Sequence, residues 1–327
     1  MSIRLGYQIP NFSYPGGDTA AIFPTVVAQA REAEAGGFDT VLLMDHFYQL
    51  PGIGAPEEPM MEAYTTLGAL AASTKSIQLS TLVTGNTYRN PAMLAKTAST
   101  LDVISNGRAV LAIGAGWYEL EHQQMGYEFG TFTDRFERLD ESLQIIEPML
   151  RGRHPELDGK WYSAHGTLNN PRVRDSLPIM LGGSGEKKTF GLAARFADHL
   201  NIICDASELP RKLDAVKQRC TEVDRDPATL ETSFLAFGMI ADTHEQADAL
   251  VRDHLRSSGA DPDTMDDDAF AAATDRIFYG TGEEVAEKLQ HRVLDTGVDG
   301  IIINLVRTGH LPGAVEQAGE ALAPLVR

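Results

Sequence analysis

Thr40-Val41-Leu42-Leu43-Met44-Asp45-His46-Phe47 (TVLLMDHF) begins as a short apolar run and ends on a carboxylate beside an imidazole. The run has the length and composition of a buried strand. Burying ionisable groups costs free energy unless partners satisfy them, so the strand must open at its C-terminal end into a polar place. In a barrel of parallel strands those ends face the pocket, which would put Asp45 and His46 at the rim of a site.

The pattern around this strand supports that arrangement. Upstream, Ile3–Ile9 reads as a first strand ending at Pro10, and Ile22–Ala35 is helical in period and stops at Gly36-Gly37. Downstream, Glu62–Ala72 is helical, Ile77–Thr84 is β-rich, and Pro91–Ile104 begins with proline in its first turn. Arg108–Ile113 is a strand leading into Gly114-Ala115-Gly116, and Arg135–Leu150 is an amphipathic helix. Pro178–Leu181, His199–Ile203, Thr232–Ile240 and Gly300–Asn304 read as further strands. Helices are expected at Lys187–Phe196, Leu209–Val223, Glu283–Thr296 and Pro312–Leu325.

About eight strand–helix units in 327 residues predict an α/β fold, a single (β/α)8 barrel spanning residues 1–327. A doubly wound open sheet is the main rival, and the unit count and length favour the barrel. Two stretches exceed a minimal barrel. Residues 152–177 read as an inserted hairpin or lid. Residues 257–280 contain the acidic run DPDTMDDD, read as a solvated loop.

The bulk numbers narrow the function classes. The 28 basic and 46 acidic residues give a net charge of −18, which argues against nucleic acid and anionic membrane surfaces as partners. No apolar run approaches the roughly 18 residues of a membrane span. The N-terminus lacks the features of a signal peptide, and Cys204 and Cys220 show no CxxC or metal spacing. A cytoplasmic location with free, buried thiols is expected. The nine histidines form no HxH or HExxH, so no metal site is expected.

Four constellations carry the chemistry. In the first, the imidazole of His46 is suited to proton transfer near neutral pH. In the second, Ser80, Thr81 and Thr84 interrupt an apolar strand around Leu82, where β-propensity is the plain explanation. The third is Gly182-Gly183-Ser184-Gly185 ahead of a helix with Lys187 and Lys188, a turn whose N–H groups could approach a phosphate. It is no nucleophile elbow, since GxSxG fails at Glu186, and Gly114-Ala115-Gly116 lacks the third glycine of GxGxxG. The fourth is Trp117-Tyr118, aromatics that could wall a flat ring or pack a lid.

Taken in order, GGFDTVLLMDHF, LSTLVTGNTYRNPAMLAK, GRAVLAIGAGWYELEH, RFERLDESLQII, PIMLGGSGEKKTFGLAARFADHLNI and DRDPATLETS resemble the luciferase-like superfamily over nearly the whole chain. The likeness is closer to its coenzyme F420-dependent oxidoreductases than to its FMN-using branch. The resemblance implies a (β/α)8 barrel with the cofactor across the strand C-termini. Asp45, Thr81, Leu82 and Thr84 match its cofactor site, and a non-prolyl cis peptide is expected between Thr81 and Leu82. Gly182, Gly183, Ser184 and Gly185 match its phosphate turn, with Lys187 beside them, and Lys188 and Arg89 are further candidates to offset the cofactor's negative charge. His46 matches its active-site histidine, and Asp45 would contact the ring edge or orient that imidazole.

The sugar-phosphate dehydrogenases of the family carry a tryptophan shortly after the Asp-His pair and a glutamate after the fourth strand's glycines. Leu50 and Trp117 stand at those places here, pointing to a less polar substrate. The resemblance therefore implies hydride transfer between the deazaflavin and a small organic substrate. The substrate would stack beneath Trp117 or Tyr118 and the insertion at 152–177, and the protein would be a homodimer. An FMN-dependent monooxygenase, a non-catalytic cofactor-binding protein and a metal-dependent hydrolase are the alternatives, in that order.

Overall fold

A computed structural model describes residues 3–326. Its strands are β1 (Leu5–Ile9), β2 (Thr40–Leu43), β3 (Gln78–Thr81), β4 (Thr84–Gly85), β5 (Leu111–Gly114), β6 (Glu156–Asp158), β7 (Ser163–His165), β8 (Ile179–Gly183), β9 (His199–Ile202), β10 (Glu231–Ile240), β11 (Ile277–Gly280) and β12 (Gly300–Asn304). Eight of them form the barrel, in the order β3-β2-β1-β12-β10-β9-β8-β5, all parallel. A bridge between Leu79 and Ala109 joins the two ends of that order. The barrel expectation holds, and the eight sequence-read strands are its staves.

The barrel has two apolar layers, set by the two-residue side-chain period of a strand. Leu42, Ile302, Met180, Ala112 and Leu235 point inward and pack together in the lumen. Their neighbours Val41, Leu43, Ile301, Ile303, Ile179 and Leu181 point outward and pack with the helices. Strands covered on both faces are apolar throughout, which is why β2 is buried at every position.

The helices begin and end on local chemistry. The helix Thr19–Gly36 starts at Asp18, whose carboxylate accepts from Ala20 N, and stops at Gly37, held at φ 93°. Asn90 caps Pro91–Ile104, and a Thr131–Asp134 capping box opens Phe132–Leu150. Among the described residues no helix is long and apolar enough to cross a membrane.

Both extra stretches differ from expectation in detail. Residues 152–177 do contain a hairpin, β6 paired with β7. It packs on Phe132–Leu150, where Glu141 accepts from the N–H groups of Lys160, Trp161 and Tyr162 at 2.8 Å each. None of its residues lines the central cavity, so it forms no lid over it. The stretch 257–280 is more than a solvated loop. It holds a helix, Asp267–Ala273, and β11, which pairs with the outer end of β10. The acidic side chains stay outside, while Ser258, Ala273, Arg276 and Ile277 reach the cavity wall.

Candidate active site

A cavity of about 820 Å³ opens at the C-terminal ends of the barrel strands. Its lining includes Asp45, His46, Leu82, Thr84, Trp117 and Gly182 to Gly185, so the structure brings together most of the residues singled out from sequence. Leu50, at the place of the family's tryptophan, lines it too. Thr81, Tyr118 and Lys187 stand elsewhere. Thr81 is buried in the wall, its hydroxyl donating to Ala112 O and bonded to Thr84. Tyr118 is buried beneath Trp117, stacked on it at 5.2 Å between ring centroids. Lys187 is exposed at the start of the helix Lys188–Phe196.

The floor of the cavity is shaped by the chain after β3. The cis peptide lies at Leu82–Val83, one bond beyond the expected Thr81–Leu82. The reason is register. Thr81 pairs with Leu43, and Leu82 N still donates to Leu43 O at 2.8 Å, so the ladder runs on through Leu82 before the backbone departs. Val83 then sits between two glycines. A Cβ on Gly182 would lie 2.7 Å from Val83 Cγ1, and one on Gly114 would lie 2.9 Å from Val83 Cγ2. Only glycine leaves this surface flat. Next to it, Gly183 at φ 146° turns the chain into Ser184 and Gly185. Lys212 Nζ donates to Ser184 O at 3.0 Å.

Asp45 does not orient His46. Its carboxylate is 1 % exposed and is held by Arg89 Nη1 at 2.6 Å, Arg89 Nη2 at 2.9 Å and Gly85 N at 3.0 Å. Burial pushes the Asp45 carboxyl up and Arg89 pulls against it, while the pairing holds the Arg89 guanidinium above its usual range. Arg89 also donates to Glu62, so its charge is spent on two carboxylates.

The partner of His46 is Glu121, a residue the sequence reading left unassigned. It is fully buried, and its Oε2 lies 2.9 Å from His46 Nδ1. Tyr88 Oη donates to the same oxygen, and Oε1 accepts from the N–H groups of Phe47 and Tyr48. Burial alone would raise this carboxyl, but the bonds from His46, Tyr88 and Tyr48 outweigh it and hold it below its usual range. An ionised Glu121 can only accept, so Nδ1 of His46 carries a hydrogen. That leaves Nε2 as the exchanging nitrogen on a ring lining the cavity. Trp117 and Tyr118 meet the imidazole edge-on at 5.8 and 5.9 Å. The signal that could have found Glu121 is its place in the first turn of the helix Glu119–Met125, which directly follows the Trp117-Tyr118 pair assigned to the pocket.

A family model described as luciferase-like monooxygenase matches residues 3–325. The chain belongs to that family. Among similar proteins, pyrimidine monooxygenase RutA of Pseudomonas savastanoi is 29% identical over 240 residues, 72% of this chain and 65% of that protein. The match therefore spans a little under two thirds of that relative's own length. An F420-dependent glucose-6-phosphate dehydrogenase of Microbacterium testaceum is 35% identical over 169 residues, 51% of this chain and 48% of that protein. Among solved structures, an F420-dependent secondary alcohol dehydrogenase in complex with an F420–acetone adduct superposes with a TM-score of 0.81 at 22% identity, covering 100% of both chains. EDTA monooxygenase from Chelativorans sp. BNC1 gives 0.82 at 16% identity, covering 98% of this chain and 93% of that one. Proteins named as F420-dependent dehydrogenases and proteins named as monooxygenases thus share this barrel.

Proposed function

We propose that the protein is a coenzyme F420-dependent oxidoreductase acting on a small organic substrate. The observation that carries this reading is the placement of a carboxylate-oriented imidazole beside a flat glycine-bounded floor. The residues fit such a group. Val83, Gly114 and Gly182 would hold the ring, and the turn at Gly182 to Gly185 would take the phosphate on its backbone N–H groups. Bound there, the deazaflavin supplies the hydride, given or taken at its C5. His46 would hold or release the accompanying proton at Nε2, with Glu121 fixing its tautomer. Asp45 and Arg89, tied to Gly85, would keep the strand end rigid beneath the ring. Apolar walls at Leu82, Val83, Ile203 and Leu235 would exclude water.

The flavin monooxygenase reading is favoured by the longer stretch of chain aligned with RutA. Fluorescence titration of the purified protein with F420 and with FMN separates the two. Sub-micromolar F420 binding supports the proposal. Sub-micromolar FMN binding without F420 binding overturns it, and oxygen uptake would then be expected on turnover.

A further inference from the structure

Among the described residues that line the cavity the one carboxylate, Asp45, is already neutralised by Arg89. Two arginines also line the cavity. Arg135 is spent on backbone, donating to Gly116 O and Gly130 O at 3.0 Å each, with its guanidinium 3.9 Å from the Phe129 ring centroid. Arg276 is different. Its Nε is buried without a hydrogen-bond partner, and no carboxylate of the described residues forms an ion pair with it. Its guanidinium carbon lies 5.0 Å from the centroid of Phe237. Leu255, Ala273 and Ile277 complete an apolar wall around that end of the cavity. Burial of this half-buried guanidinium outweighs the attraction of Asp205, which acts from beyond ion-pair range, so its desolvation is only partly repaid. It stands out in a chain with 46 acidic side chains for 28 basic ones. A bound anion would repay it.

We propose that Arg276 anchors a carboxylate on an apolar substrate, so that the enzyme acts on monoanionic organic acids. One guanidinium balances one negative charge. A phosphate dianion would leave a charge unmatched among Phe237, Leu255 and Ile277, whereas a carboxylate takes the two-pronged hydrogen bonding that guanidinium offers. His254 lies in the same wall, and neither ring nitrogen has a hydrogen-bond partner among the described residues. Burial and the nearby Arg307 favour its neutral form, so it is available as a second, uncharged contact to the ligand. The substrate role rests on the oxidoreductase reading above, but anion binding does not.

Calorimetry on the full-length protein tests it with benzoate, benzyl alcohol and inorganic phosphate at pH 7.5, with and without saturating cofactor. Benzoate should bind at least tenfold more tightly than either of the others. Arg276→Gln should remove that preference while leaving benzyl alcohol binding unchanged, and Arg276→Lys should restore part of it. Equal binding of benzoate and benzyl alcohol to the wild type overturns the proposal without any variant, so a poorly folded variant does not rescue it. Tighter binding of phosphate, or a tenfold loss of cofactor affinity in Arg276→Gln, overturns it by giving Arg276 to the cofactor. If benzoate is preferred but neither F420 nor FMN binds, the anion site stands and the oxidoreductase reading fails.

Discussion

Replacing Glu121 by glutamine tests the chemistry assigned to His46 with almost no change of shape. In the wild type Oε1 accepts two backbone N–H groups, and Oε2 takes His46 Nδ1 and Tyr88 Oη. An amide has one oxygen to give. If that oxygen stays on the N–H groups of Phe47 and Tyr48, the amide NH2 faces His46 Nδ1, which must then accept. The neutral imidazole changes tautomer, and its hydrogen moves to Nε2, where it blocks proton uptake. Charge-assisted bonds contribute about 1.5–3 kcal/mol each and neutral ones about 1 kcal/mol. Tyr88 can rotate its hydroxyl, so the net loss should be about 2 kcal/mol, or roughly 3 °C in Tm for a domain of this size. General acid–base contributions run to about 10²–10⁴-fold, so turnover should fall at least about 10²-fold with cofactor affinity nearly unchanged. Long-range ¹H–¹⁵N NMR of the imidazole reads the tautomer directly and needs no substrate. A Glu121→Gln protein that keeps hydrogen on Nδ1, or keeps wild-type turnover, would refute the argument. The stability difference should also depend on pH. Glu121's folded carboxyl lies below its ordinary 4.5, so its contribution is full above that value and fades as pH falls through the lower folded value. The gap between wild type and variant should therefore close on acidification from pH 6 to pH 3.

Two further outcomes follow from the same geometry. Arg89→Met strands the buried Asp45 carboxylate and should cost about 3–5 kcal/mol in urea unfolding at pH 7. The loss should shrink toward pH 5 as protonation removes the charge, and the added change Asp45→Asn should recover most of it; additive losses in the double variant would count against the pairing. Gly182→Ala places a Cβ 2.7 Å from Val83 Cγ1, which must push Val83 into the cavity. Fluorescence titration should show at least a tenfold loss of cofactor affinity with about 1–3 kcal/mol of destabilisation. Unchanged affinity would mean that the ring does not lie there.

Strand existence was legible because burial on both faces demands apolar runs, and helix limits were legible where capping chemistry is local, as at Asn90-Pro91 and Gly37. The bounds of Pro91–Ile104 agree at both ends. The strand β11 went unread because it begins directly after an acidic, partly helical stretch and pairs only with the outer end of β10. Its signal is a neighbour 40 residues away, for Phe237 pairs with Ile277. The hairpin at 156–165 was legible as an insertion, but what it covers was not, since its docking depends on Glu141 of a different element.

At the site, the strand end at His46 and the family resemblance together marked Leu82, Thr84, Trp117 and the glycines at 182–185 as neighbours of one pocket, and these line it, whereas Thr81, Tyr118 and Lys187 do not. The sequence by itself determined that an ionisable pair sits at the end of a buried strand, because nothing else in TVLLMDHF breaks the apolar run. It did not determine how the pair is satisfied. That required bringing Arg89 to Asp45 across 44 residues and Glu121 to His46 across 75. Asp45 is held by Arg89 and Gly85 while His46 meets Glu121, so two neighbours in sequence are satisfied by different elements. Which carboxylate meets which cation depends on distances of a few ångströms that only the closed barrel sets.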